Sequence, residues 1–209
     1  MKVFLASGNT KKILEMQRIL AEHVPGIEVL GIADVEGYVE PVEDEPTFEG
    51  NALLKARAGV AATGLPSVAD DSGLCVDALN GMPGVLSARW SGPPKGDKQG
   101  ADQRNNELLL AQLDDVPDER RGAHFACAVA WVMPDGRERV VEGRMDGRII
   151  REVRGSGGFG YDVVFVAAEH DAEDLTSAEL EPGEKDRISH RGRALRALAP
   201  QVAADLSGD

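Results

Sequence analysis

A strand followed at once by a tight turn and a helix is the feature that most restricts how this chain can fold. The segment "KVFLAS" is a short apolar run of strand-forming residues that stops at Gly8 and Asn9. The following "KKILEMQRILAEH" places Ile13, Met16 and Leu20 on one face of a helix. This order is typical of α/β folds, in which a strand and the next helix pack together.

The rest of the chain predicts a mixed α/β pattern. "TFEGNALLKARAGVAATG" reaches Gly64 just before Pro66, as expected of a helix that ends in a left-handed glycine. "HFACAVAWVM" and "RERVVEGRM" flank the turn signal "PDG", which predicts a β-hairpin. We expect further strands at "IEVLGI", at "PSVADDSG", where a brief strand runs into a glycine turn, and at "YDVVFV", and a C-terminal helix at "RISHRGRALRALAPQVAADL".

Size and charge narrow the class of protein. With 209 residues, of which 42% are hydrophobic, the chain can bury one substantial core in one or two lobes. Its formal net charge of -13 argues against non-specific binding to nucleic acid or to an anionic membrane surface. The two cysteines form no C-x-x-C pair, and no apolar run approaches the ~20 residues of a membrane-spanning helix. We therefore expect a cytoplasmic protein without nucleic-acid or membrane partners.

The glycines of "RGSGGFGYDVVF" have the G-x-G-x-x-G spacing of dinucleotide-binding turns. In those turns the glycines lie between a strand and a helix N-terminus, which holds the pyrophosphate. Here the glycines precede a predicted strand, so the hypothesis of an NAD-dependent oxidoreductase rests on the glycine spacing alone. A glycine loop is the simpler interpretation, and it would bring backbone and an aromatic face close to a flat ligand at Phe159, Tyr161 and Asp162.

The turn "SGNTKK", residues 7–12, is the better phosphate candidate because it does join a strand to a helix. Backbone amides at a helix start favour anions, and Lys11 and Lys12 add positive charge there. The alternative is structural: Asn9 or Thr10 caps the helix and the lysines are solvated.

Two adjacent aspartates, Asp70 and Asp71 in "ADDSG", predict a metal centre. In a regular strand they point to opposite faces, so one meets solvent and the other needs a partner that offsets its charge. Magnesium is a suitable partner, since it takes few protein carboxylates and completes its shell with water and phosphate oxygens. Further carboxylates could come from the acidic loop at Glu40, Glu43, Asp44 and Glu45.

The segment "EKDRISHRGRA" concentrates hydrogen-bond donors in an otherwise acidic chain. The simpler interpretation is that the charged residues are solvated at the surface and that the histidine has a structural role. The density of donors also suits an acceptor-rich ligand such as a 6-oxo purine. The donors are Lys185, Arg187, His190, Arg191 and Arg193.

Six segments, in this order along the chain, resemble the signature blocks of the noncanonical purine nucleoside triphosphate pyrophosphatases, the family of the inosine triphosphate pyrophosphatases. They are "LASGNTKK", "TFEGNALLKA", "VADDSGLCVDAL", "GMPGVLSARWSG", "GSGGFGYDVVF" and "EKDRISHRGRAL". The likeness spans nearly the whole chain.

The resemblance implies both a fold and a reaction. The fold is an elongated α/β structure with a mixed sheet and two lobes, with the nucleotide site in the cleft between them. Residues 1–209 are then one pyrophosphatase domain, usually a homodimer. The reaction is the Mg²⁺-dependent hydrolysis of ITP, dITP and XTP to the monophosphate and pyrophosphate, which removes deaminated purines from the nucleotide pool.

The resemblance also assigns residues. Asp71 is expected to bind Mg²⁺ and to accept the proton of the attacking water, with Glu43 and Asp70 as further metal carboxylates and Lys55 in support. The expected substrate contacts are Ser7, Gly8, Asn9, Thr10, Lys11 and Lys12 at the triphosphate, Ser72 beside Asp71, and Phe159, Gly160, Tyr161, Asp162, Lys185, His190 and Arg191 at the base and sugar.

Two positions depart from the family pattern. Gly50 stands where many members have a glutamate before the asparagine, here Asn51, and Val163 stands where a proline is common. The missing glutamate motivates a second hypothesis, a regulatory module that binds nucleotides without turning them over.

Overall fold

The structure is a computed structural model that describes residues 1–93 and 96–207, without the side chains of Lys11 and Lys98. Its strands and longer helices are, in chain order, β1 (Lys2–Leu5), α1 (Thr10–Ala21), β2 (Glu28–Leu30), α2 (Phe48–Thr63), β3 (Ser67–Val76), α3 (Lys98–Gln112), β4 (Gly122–Val132), β5 (Glu138–Ile149), β6 (Phe165–Ala167), α4 (Pro182–Ile188) and α5 (His190–Ser207). None of the helices in this described part is both long and apolar enough to cross a bilayer.

The strands form one mixed sheet in the order β2-β1-β3-β4-β5-β6. β1 pairs in parallel with both β2 and β3, whereas β5 and β6 are antiparallel. The predicted α/β class and the hairpin of β4 and β5 are confirmed. Because the chain moves from β1 to one neighbour and then to the other, right-handed crossovers place α1 and α2 on opposite faces of the sheet. The carboxyl end of the strand at such a reversal is where open α/β sheets bind ligands.

The chain divides into two compact units, and unit 1 comprises Met1–Asp71, Cys127–Gly143 and the described residues from 191 on. Successive residues of its strands face opposite sides of the sheet. The side that packs against α1 and α5 holds Val3, Leu5, Val68 and Trp131. The side that packs against α2 holds Phe4, Ala6, Ala69 and Ala130. Small residues let α2 approach closely: a Cβ at Gly59 would lie 2.7 Å from the Phe4 ring.

Unit 2 comprises Ser72–Ala126 and Arg144–His190 and has a core of its own. The largest side chains of that core are fully or almost fully buried, among them Leu74, Leu109, Phe125, Met145 and Phe165. Each unit therefore has a hydrophobic core of its own.

Three sequence predictions of local structure are wrong. β3 does not end in a glycine turn at Gly73 but continues to Val76, because Leu74 and Val76 are buried in the core of unit 2. "YDVVFV" begins as a 3-10 turn and is strand only over Phe165–Ala167. The C-terminal helix is two helices, separated by the extended backbone of Ser189.

Asp205 on α5 is a buried carboxylate that ties this helix to β4 and β5. Its side chain is only 2% exposed. It accepts hydrogen bonds from Trp131 Nε1 at 3.1 Å, from Arg137 Nη1 at 3.0 Å, and from Nε and Nη2 of Arg139, each at 2.7 Å. The hydrogen bond from Arg139 is the largest of the effects that hold the pKa of Asp205 below its usual value.

We expect Asp205→Asn to lower the free energy of unfolding by about 1.5–3 kcal/mol at pH 7, the range for hydrogen bonds to a charged group. The pKa of Asp205 is lowered in the folded protein. Its contribution is therefore present above the pKa of an unfolded aspartate, about 3.9, and is lost as the pH falls below that value. Urea unfolding at pH 7 and near pH 3 tests this, with the exposed Asp115→Asn as control. A difference from wild type that does not shrink at low pH would contradict it.

Candidate active site

Asp70 and Asp71 lie at consecutive positions of β3 and face opposite sides of the sheet. The alternation of Val68 and Ala69 continues through them, so Asp70 shares the side of α1 and α5 and Asp71 shares the side of α2. The two carboxylates therefore meet different partners.

Asp70 is buried and paired with two cations. Lys12 Nζ lies 3.0 Å from Oδ1 and 2.8 Å from Oδ2, and Arg191 Nε lies 3.0 Å from Oδ2. Burial alone would raise the pKa of Asp70, but the charges of Arg191 and Lys12, together with the lysine hydrogen bond, hold it well below its usual range. The charge of this buried aspartate is thus offset by the side chains of Lys12 and Arg191. The partner expected from the sequence was a metal ion.

Asp71 has a neutral donor. The side-chain amide of Asn51 donates from Nδ2 to Asp71 Oδ2 at 2.9 Å, and Asn51 is fully buried. Asp71 itself is half-buried. An amide donor orients a carboxylate without adding a positive charge of its own.

Lys55 on α2 links this pair of aspartates to the acidic loop. Its Nζ lies 2.5 Å from Glu43 Oε1 and donates to the backbone oxygen of Asp70 at 2.6 Å. Burial lowers the pKa of Lys55, but the hydrogen bond from Lys55 to Glu43 and the charges of Glu43, Asp70 and Asp71 together raise it. The charges of three carboxylates therefore act on the buried ammonium group of Lys55, and Glu43 is the member of the acidic loop that it bonds directly.

The turn of residues 7–12 joins β1 to the start of α1. Ser7 Oγ accepts the backbone N–H of Asn9 at 3.1 Å, and α1 begins at Thr10. Gly8, Asn9 and Thr10 are exposed residues at the start of a 12-residue helix, whose first amides have no partner within the helix and favour anions. Lys12 extends from this turn to Asp70, while the Lys11 side chain lies outside the described residues.

In unit 2 the glycine block organises a second group of polar residues. Asp162 Oδ2 accepts from Lys185 Nζ at 2.5 Å and from the Phe159 N–H at 2.8 Å. Lys185 Nζ also lies 5.3 Å from the centre of the Phe159 ring, which is 59% exposed. Gly158 has φ +72°, and a Cβ there would approach Lys185 Nζ to 2.7 Å and Asp162 still more closely. Only glycine fits this position.

The other residues of this block have structural contacts. The Tyr161 hydroxyl donates to the backbone oxygen of Ser87 at 3.0 Å, and burial raises the pKa of Tyr161. His190 stacks on Phe125, with ring centres 5.0 Å apart. Gly157 packs against the backbone of residue 178, to whose oxygen its N–H donates. The glycines lead into a 3-10 turn and a strand, so the helix that a dinucleotide-binding turn requires does not follow them.

The structure gathers the predicted site residues into these two groups. Lys12, Lys55, Glu43, Asp70 and Asp71 lie together in unit 1, and Arg191 joins them through Asp70. Phe159, Gly160, Asp162 and Lys185 lie in unit 2, as does Ser72, which follows Asp71 on β3. The expected contact of Arg191 with the base and sugar stays a prediction. Among the described residues, no group of three or more acidic, histidine or cysteine side chains is arranged to hold a metal ion by itself.

Sequence reasoning missed the contact of Asn51 with Asp71. Asn51 is a fully buried polar side chain on a helix face that also carries Ala52, Lys55, Ala56 and Gly59. An asparagine among small residues, four positions before Lys55, was the available signal, but its partner Asp71 is 20 residues away and is not visible from spacing.

The model of the Ham1 family matches residues 3–201. Among curated proteins, the dITP/XTP pyrophosphatase of Corynebacterium efficiens is 56% identical over 100% of both chains, and that of Nocardia farcinica is 58% identical over 97% of this chain and 95% of its own. A solved nucleoside-triphosphatase, or dITP/XTP pyrophosphatase, of Mycobacterium abscessus is 56% identical with a TM-score of 0.78, covering 96% of this chain and 100% of its own. The Ham1 protein of Staphylococcus aureus is 36% identical with a TM-score of 0.84, covering 100% of this chain and 99% of its own.

We expect the two aspartates to differ in their effect on stability. Asp70→Asn leaves Lys12 and the buried Arg191 without their counter-charge, and breaking a buried ion pair costs about 3–5 kcal/mol. Asp71→Asn keeps an oxygen for the Asn51 amide, so its loss should stay within about 1 kcal/mol. Urea unfolding of both variants measures the difference, and equal losses would contradict the assignment of Asp70 as the buried structural charge.

Proposed function

The chain belongs to the Ham1 family, and from that membership we propose that it hydrolyses noncanonical purine nucleoside triphosphates, among them ITP, dITP and XTP, to the monophosphate and pyrophosphate. The observation that carries the proposal is the contrast between the two aspartates of unit 1. Asp70 bonds directly to two cations, whereas Asp71 accepts a hydrogen bond from a neutral amide. A site that hydrolyses a phosphoanhydride needs one carboxylate for a cation or a water and fixed positive charge for the phosphates.

We propose that Asp71 and Glu43 hold a Mg²⁺ ion. Pyrophosphatases of nucleoside triphosphates generally need a divalent metal, and the donors here suit a hard cation because both are carboxylate oxygens. The region already attracts positive charge, since the ammonium group of Lys55 lies among Glu43, Asp70 and Asp71. When bound, the ion would offset phosphate charge and lower the pKa of a coordinated water. Asp70 fits less well as a direct ligand because Lys12 and Arg191 occupy its oxygens, so its role is to hold these two cations.

In the proposed reaction, the residues of unit 1 bind the triphosphate and activate the water. The turn from Ser7 to Thr10, with the first amides of α1, and the charges of Lys11 and Lys12 bind the phosphates. Asp71 accepts a proton as the oxygen of water attacks the α-phosphorus. The bond from that phosphorus to the bridging oxygen breaks, and pyrophosphate leaves while Lys12 and Lys55 stabilise its charge. Ser72, next to Asp71, contacts the substrate.

The residues of unit 2 would recognise the base. The exposed face of Phe159 suits stacking, and Lys185, oriented by Asp162, supplies a donor for a 6-oxo group. Adenine carries a 6-amino donor, which would face Lys185 without an acceptor, and an unpaired buried donor costs about 1–3 kcal/mol. Gly160, Tyr161, His190 and Arg191 complete the proposed base and sugar contacts, Tyr161 through its backbone because its side chain is buried.

We also propose that the protein acts in the cytoplasm, and that it is a homodimer, as the resemblance implies. The chain's formal net charge of -13 agrees with a soluble, freely diffusing enzyme. Sedimentation equilibrium at micromolar concentration tests the dimer, and a mass of 22.3 kDa would contradict it.

Asp71→Asn should lower the rate of pyrophosphate release from ITP and XTP by about 10²–10⁴-fold, the usual contribution of a general base. Pyrophosphate and orthophosphate are quantified separately, with ATP and GTP as comparison substrates and the exposed Glu36→Gln as control variant. Wild-type release of pyrophosphate from ITP and XTP, with little from ATP or GTP, is the expected result. Orthophosphate as the sole product, binding of ITP without turnover, or near-normal activity of Asp71→Asn would contradict the proposal.

Removal of divalent metal by EDTA should abolish pyrophosphate release, and added Mg²⁺ should restore it. The far-UV circular dichroism should not change, because the ion pairs of Asp70 and Lys55 hold the site without a metal. Glu43→Gln should raise the Mg²⁺ concentration needed for half-maximal rate several-fold, as lost ligands do. Full activity in EDTA, or an unchanged Mg²⁺ requirement in Glu43→Gln, would contradict the proposed ligands.

A further inference from the structure

Asn51 joins two parts of unit 1 through one buried side chain. Its Nδ2 donates to Asp71 Oδ2 at 2.9 Å, and its Oδ1 accepts the backbone N–H of Glu45 at 3.1 Å. The amide is therefore held at both ends, by the acidic loop and by β3, and it is fully buried. Replacement by an apolar residue would leave the N–H of Glu45 without this partner.

The orientation of the Asp71 carboxylate depends on a hydrogen-bond partner such as Asn51. The last torsion of an aspartate side chain is soft and has no sharp rotamer, so hydrogen bonds decide the direction of its oxygens. A lysine or arginine partner would fix the carboxylate but would also offset its charge, as happens at Asp70. The amide of Asn51 fixes one oxygen and adds no positive charge of its own.

Gly50 lets the acidic loop reach Asn51. Thr47 caps α2 by accepting the N–H of Gly50 at 3.0 Å, so Gly50 is the third residue of the helix. A Cβ at this position would lie 2.8 Å from Glu45 Cβ and 3.1 Å from Glu45 Cγ. The side chain of Glu45 thus occupies the space that a side chain at position 50 would need. A glutamate in the third helical position commonly caps the start of a helix. Gly50 gives up this cap and leaves room for the side chain of Glu45.

We propose that Asn51 is a positioning residue for Asp71, and that Gly50 and Glu45 are a sterically matched pair that keeps the acidic loop bonded to Asn51. The inference rests on the proposed function only in taking Asp71 as the reacting carboxylate. It explains the glycine at position 50 by packing, and this explanation does not require the loss of catalysis that the missing glutamate suggested.

The first test is Asn51→Ala with dITP as substrate. The turnover number should fall about 10–100-fold, the usual effect of removing a partner that orients a ligating residue. KM should change less than about threefold, because the turn of residues 7–12 and the residues of unit 2 are untouched. Binding of Mn²⁺ alone, measured by calorimetry without nucleotide, should weaken several-fold. The control is Glu49→Gln, an exposed neighbour on α2.

The second test separates positioning from a general loss of folding. Alanine favours helices over glycine by about 1 kcal/mol, yet Gly50→Ala should lower the turnover number and weaken Mn²⁺ binding because its Cβ displaces Glu45. The double variant Gly50→Ala/Glu45→Gly removes the clashing atoms and should recover both properties to within about threefold of wild type, the precision of such comparisons. Gly50→Ala/Glu45→Gln keeps Cβ and Cγ and should not recover them.

The outcomes separate this inference from the proposed function. A wild-type protein that releases no pyrophosphate from dITP or XTP refutes the proposed function, while Mn²⁺ binding still reports on Asn51. An active wild type with unchanged turnover and Mn²⁺ binding in Asn51→Ala overturns the positioning role. Equal recovery by the glycine and glutamine double variants overturns the steric pairing.

Discussion

The buried carboxylate of Asp70 is the charge around which the site of unit 1 is arranged. Lys12 from the start of α1 and Arg191 from α5 reach it from one side of the sheet, and Lys55 from α2 bonds its backbone oxygen. Three helices are thereby tied to one residue of β3. Removing a carboxylate from water without such partners would cost far more than a protein of ordinary stability could tolerate. The same pairs hold Lys12 and Lys55 at the positions where the phosphates are proposed to bind.

The period of a β-strand gives the two neighbouring aspartates different chemistry. Asp70 faces α1 and α5 and is paired with cations, while Asp71 faces α2 and meets an amide. One carboxylate is thus a structural counter-charge, and the other is the one that we propose to bind a metal ion and to accept a proton. Because neighbouring residues of a strand face opposite sides of the sheet, two aspartates side by side meet different partners.

Local sequence patterns predicted the parts of the fold that depend on local physics. The strand, turn and helix at residues 2–21, the glycine that ends α2 and the hairpin at "PDG" all follow from periodicity and turn chemistry. Long-range partners could not be read in this way: Asp70 meets Lys12 and Arg191 from 58 and 121 residues away. The extension of β3 past Gly73 was missed for the same reason, because the buried contacts of Leu74 and Val76 override a local turn signal. Family resemblance identified the blocks that carry the site, whereas the separate roles of Asp70 and Asn51 needed the structure.

Hydrolysis of dITP in ¹⁸O-labelled water tests the central claim most directly, since it reports which phosphorus the water attacks. If Asp71 directs a water to the α-phosphorus, the deoxyinosine monophosphate carries the label and the pyrophosphate carries none. Label in the pyrophosphate would place the attack on the β-phosphorus, and labelled orthophosphate would place it on the terminal phosphate. Either result would contradict the account.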